Sequence, residues 1–104
     1  MSEKRKVYRQ GDVILRETFI GEPLTQELRK REVKTLEISG ETGHKHSIKG
    51  HVGREVGSRT LLLLETPEKM THPQHATLDI PEGAYEVYRT REYEDRIGQR
   101  LMGD

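Results

Sequence analysis

The longest uninterrupted apolar run in this chain is four residues, Leu61 to Leu64, set between Gly57 and Pro67. A bilayer-spanning helix needs about 20 apolar residues, so this run is far too short for one. Bounded by chain-breaking residues, it reads instead as a central strand buried on both faces. The other apolar groups are shorter still and are separated by Gly and Pro at close intervals. That punctuation favours many short strands over long helices.

Val7-Tyr8 leads to a turn at Gln10-Gly11-Asp12, followed by Val13-Ile14-Leu15, a short buried strand. Glu22 to Arg31 is the sole helix candidate, with Pro23 suited to its first position and Leu24 and Leu28 four apart on one face, but at about ten residues it could equally be a charged loop. Glu32 to Ser39 alternates with a phase slip, Val33 and Thr35 on one face and Leu36 and Ile38 on the other. A bulge or a strand buried on both sides would account for it. Gly40 to Gly43 turns the chain into a strand from His44 to Ile48, and Gly50, Gly53 and Gly57 then mark a polar, flexible passage. Pro67 to Pro73 reads as a loop. Thr77 to Ile80 and Ala84 to Arg91 flank Pro81-Glu82-Gly83, which gives the strongest hairpin signal in the chain. The expected fold is mainly β: a small antiparallel β-barrel or sandwich with at most one short helix. It forms a single β-domain over residues 7–93, with residues 1–6 and 94–104 as flexible termini.

Hydrophobic residues make up 31% of the 104 and charged residues 35%, so the core must be small. A homodimer could complete it. With 18 basic and 18 acidic residues the net charge is zero, which does not favour nucleic acid or an anionic membrane as partner. There are no cysteines, so a metal site would have to use His, Asp or Glu. Nothing resembles a signal peptide, and a cytoplasmic protein is the expectation.

Four of the five histidines form two close pairs, His44-x-His46 and His72-x-x-His75. On a strand, residues i and i+2 face the same way, so His44 and His46 project together with Ile48 anchoring that face. Imidazole is a common ligand for zinc, iron, nickel and manganese. A shared divalent metal site at one barrel mouth follows, made by His44, His46, His72 and His75. Glu41, Glu65 and His51 are further candidates for it, although the glycines around His51 suggest a mobile loop. Open coordination positions would suit a binding or hydrolytic role. The alternative is a non-enzymatic interaction module whose histidines are structural.

A second constellation runs from Tyr85 to Tyr93. There Arg89 and Arg91 share a strand face with Tyr85, Val87 and Tyr93, a pattern able to bind an anion or nucleic acid. Pairing with Glu86, Glu92 or Glu94 on a solvated face is the simpler reading. No phosphate loop, nucleotide fingerprint or nucleophile elbow is present, and no catalytic residue can be assigned.

The segments R-Q-G-D-V, G-E-T-G-H-K-H and H-P-Q-H-A-T-L-D-I-P-E-G-A-Y-E-V-Y-R-T-R-E-Y resemble a group of small uncharacterised prokaryotic and phage-type proteins. That resemblance spans Arg9 to Tyr93 and implies a viral or mobile-element origin, but no activity. More distantly, His44-x-His46 with Pro81-x-Gly83 is similar to the two cupin motifs, which implies a β-barrel holding a metal. Lys49 and Gly50 stand where a cupin has Glu, and Tyr85 and Glu86 where it has its last His.

Overall fold

The computed structural model describes residues 5–39, 43–54 and 59–93. Eight strands and two helices follow in the order β1 (Val7–Gln10), β2 (Val13–Glu17), α1 (Gly21–Arg29), β3 (Lys34–Ser39), β4 (Lys45–Arg54), β5 (Thr60–Leu64), β6 (Glu68–His72), β7 (His75–Ile80), β8 (Gly83–Arg89) and the single turn α2 (Thr90–Tyr93). All strand pairs are antiparallel, in the order β1-β2-β8-β5-β4-β6-β7, with β3 beside β4. The sheet curls until it is nearly a closed barrel.

Its two ends are β1 and β7, and a side chain joins them. Gln10, on β1, donates through Nε2 to the carbonyls of Met70 on β6 (2.9 Å) and Ala76 on β7 (2.8 Å). A free sheet edge exposes unpaired backbone groups; here an amide side chain answers one on the edge strand β7, at Ala76, and one beside the register irregularity of β6, at Met70.

β5 is the central strand expected from Leu61 to Leu64, lying between β8 and β4. Its side chains alternate between two cores. Leu62 and Leu64 face the barrel interior with Val13, Leu15, Ile48, Met70, Ile80 and Tyr85. Leu61 and Leu63 pack outside it with Leu28, flanked by Ile20 and Leu24. That outer cluster is what α1 covers. Gln26 Nε2 donates to Glu22 Oε1 at 2.7 Å one turn earlier, but a nine-residue helix is marginal alone and depends on burying Leu28.

Several sequence expectations fail, for tertiary reasons. Pro81-Glu82-Gly83 does turn the chain, yet β7 and β8 do not pair. β7 pairs with β6, while β8 pairs with β2 and β5. Local turn chemistry bends a chain without deciding which edges meet. The loop expected from Pro67 to Pro73 holds β6, and the tight turn is Pro73-Gln74, across which His72 pairs with His75. The passage through Gly50 and Gly53 is not flexible but the second half of β4. A Cβ on Gly53 would lie 2.4 Å from Leu28 Cδ2, so this glycine lets α1 approach the strand. The phase slip before β3 needs neither a bulge nor two-sided burial. Val33 precedes the strand and is 56% exposed, and Leu36 and Ile38 alone face inward.

Candidate histidine site

β4 and the β6–β7 turn bring the two histidine pairs together. His46 is fully buried, His72 nearly so, His44 half-buried and His75 exposed. The His72 ring lies 4.3 Å from that of His46, 4.4 Å from His75 and 5.8 Å from His44, centroid to centroid. His46 and His75 stand stacked at 6.1 Å. Four imidazoles thus form one continuous group, with His72 in the middle.

The β1–β2 turn closes over this group. Gln10 has committed Nε2 to two carbonyls, so the atom it turns to His46 is the acceptor Oε1, 2.9 Å from Nδ1. His46 therefore carries its proton on Nδ1 and donates it to Gln10. Nε2 lies in hydrogen-bond contact with Asp12 Oδ1 at 3.1 Å, where the carboxylate accepts from Nε2–H when the ring carries both protons. Gly11 lies against His75: a Cβ there would sit 2.6 Å from His75 Nε2, and φ of +57° already favours glycine. Residues 10–12 read as nothing more than a turn in the sequence. Nothing in the sequence marks Gln10 as buried, so its role shows only in the fold.

His72 has the opposite tautomer. The backbone N–H of Gln74 donates to His72 Nδ1 at 3.0 Å, which puts the ring proton on Nε2. Burial, followed by the neighbouring His46, His75 and His44, lowers the His72 pKa, with Asp12 opposing. The surroundings therefore favour the neutral form of His72.

Among the described residues, no group of three or more His, Asp or Glu side chains stands ready to hold a metal ion. The geometry explains this. Rings sharing a tetrahedral ion with bonds of about 2.0–2.1 Å have centroids roughly 5 Å apart, whereas His72 packs closer than that to two neighbours. Its Nδ1 lone pair is also taken by Gln74.

The remaining sequence candidates divide. Glu41 lies outside the described residues. Glu65 is bound by His51, whose Nε2 is 2.6 Å from Glu65 Oε1 and whose Nδ1 donates to the Arg31 carbonyl at 2.7 Å. His51 is buried within β4, not in a mobile loop, and ties the end of α1 to the sheet. Arg89 closes β8, but Arg91 belongs to α2, so the two do not share a strand face. The strand expected to reach Arg91 ends where Thr90 N–H donates to the Asp12 carbonyl at 2.8 Å.

Residues 9–90 match the family described as Domain of unknown function (DUF8820). The chain belongs to that family. No curated protein and no solved structure matches it. The histidine cluster, its Gln10-Gly11-Asp12 cover and all eight strands except the first residues of β1 fall inside the DUF8820 match. No helix among the described residues is long and apolar enough to cross a membrane.

Proposed function

We propose that the protein holds one divalent metal ion, of the zinc, iron, nickel or manganese type, at His44, His46, His72 and His75, with Asp12 as an added donor. The observation that carries this reading is the 3.1 Å approach of His46 Nε2 to Asp12 Oδ1, behind an Nδ1–H fixed by Gln10. Two donors sharing an ion through bonds of about 2.0–2.2 Å lie roughly 2.9–3.5 Å apart. Nε2 and Oδ1 already have that spacing, held without an ion as a hydrogen bond that a metal would replace, and the Gln10 bond is the kind of outer support that orients ligating imidazoles. His44 and His75 complete the set by side-chain rotation, and His72 joins on a half-turn of its ring that releases Gln74. Water at an open position would become a stronger acid, which suits a binding or hydrolytic role.

One observation favours a second reading, an interaction module of viral or mobile-element origin with structural histidines. The Gln74 N–H bond to His72 Nδ1 makes the cluster self-sufficient without an ion. Elemental analysis of protein purified without chelators separates the two. The metal reading expects near-stoichiometric Zn, Fe, Ni or Mn, lost in His46→Ala and His44→Ala. Protein that is metal-free and whose unfolding temperature ignores both chelator and added metal leaves the structural reading.

A further inference from the structure

We infer that the barrel end adjoining the histidines is a receptor for a small organic anion, a carboxylate or phosphate ester, held by Arg54 and Arg89. A cavity of about 400 Å³ opens there, within the range of roughly 300–1,000 Å³ usual for ligand pockets. Leu36, Ile38 and Val87 give it an apolar wall, and Arg54, Arg59 and Arg89 also line it.

The acids nearby are already engaged. Glu37 lines the cavity but pairs with Lys45 at 3.9 Å. Glu86, buried in β8, takes Arg59 on one oxygen and Arg16 on the other. Among the described residues Arg54 and Arg89 form no ion pair, and both are exposed. A guanidinium presents its donors in a planar fork that fits a carboxylate or phosphate group. Two such forks above an apolar wall select an anion that carries a carbon skeleton.

None of the four histidines lines the cavity, but two strand pairings lead from its wall toward them. Ile38 in its wall pairs with His46 across β3 and β4, and Arg89 pairs with Val13, the residue after Asp12. An anion anchored by the arginines would extend toward the imidazoles. The cavity and its charges do not depend on a metal, so the test uses chelator-treated protein.

Amide NMR titrations with inorganic phosphate, a nucleoside monophosphate and a C4 dicarboxylate should show saturable shifts centred on Arg54, Arg59 and residues 87–89 for at least one organic anion. Which one responds separates phosphate ester from carboxylate. Arg54→Gln with Arg89→Gln should weaken that binding about tenfold or more, with the unfolding temperature unchanged because both side chains are exposed. Three results overturn the inference: no saturable shifts, affinity unaffected by the double variant, or inorganic phosphate binding as tightly as any organic anion. An oligonucleotide binding far more tightly than its monomer, with shifts spread beyond the cavity, overturns it in favour of a nucleic-acid surface.

Discussion

Gln10 and His46 are 36 residues apart in the chain, and their side chains meet at 2.9 Å in a buried hydrogen bond. The same glutamine links β1 to β6 and β7 through its other atom. Barrel closure and the tautomer of a candidate ligand therefore depend on one amide.

Gln10→Ala should cost about 2–4 kcal/mol in urea unfolding, because it leaves buried carbonyls and an imidazole N–H without partners. Gln10→Glu divides the two roles. A carboxylate still accepts from His46 Nδ1 but cannot donate to Met70 or Ala76. It should lose stability while nitrogen NMR of His46 still reports a protonated Nδ1.

The lowered pKa of His72 sets the direction of a pH dependence. The folded state binds fewer protons at His72 than the unfolded chain does, whose pKa is near 6.5. This contribution to stability is complete above about pH 6.5 and is lost as pH falls through the folded value. Denaturation midpoints of metal-free protein should decline below that pH. In His72→Gln the decline should be shallower. An equally steep loss in the variant would assign it to other groups.

Gly11→Ala should destabilise the fold by about 1–2 kcal/mol, since it combines a positive φ with a Cβ in contact range of His75. Its effect should also reach the site. The ring signals of His75 should shift more than those of His51, which belongs to a separate part of the sheet.

His51→Ala should cost about 1–3 kcal/mol by leaving the Arg31 carbonyl unpaired and opening a void under α1. Metal uptake should be unchanged, because His51 is committed to Arg31 and Glu65 rather than to the other four histidines. Loss of metal in His51→Ala would show that the fifth histidine belongs to the site.

Much of the strand content was legible because it depends on side-chain period and local chain breakers. Leu61 to Leu64 announced a strand with two buried faces, and Leu24 and Leu28 marked the covered face of α1. The meeting of His44-x-His46 with His72-x-x-His75 was also readable, as a coincidence of two clustered pairs. Arg91 was misplaced because α2 starts at Thr90, where the backbone leaves β8 to bond with Asp12. No local pattern marks that exit.

The sequence by itself determined most of the elements: short strands, turns at Gln10-Gly11-Asp12 and Pro81-Glu82-Gly83, and two histidine pairs on strand or turn positions, while leaving Glu22 to Arg31 open between a helix and a loop. Those follow from interactions between residues a few places apart. Only the tertiary structure decided that β8 joins β2 and β5 instead of β7, that Gly53 is a seat for Leu28, and that Gln10 lies over His46. Each of these depends on contacts between segments distant in the chain, and backbone hydrogen-bonding groups are chemically alike along every edge. Which edges pair is settled by how the whole set of side chains fills one interior, and the orientation of the His46 ring is a consequence of that closure.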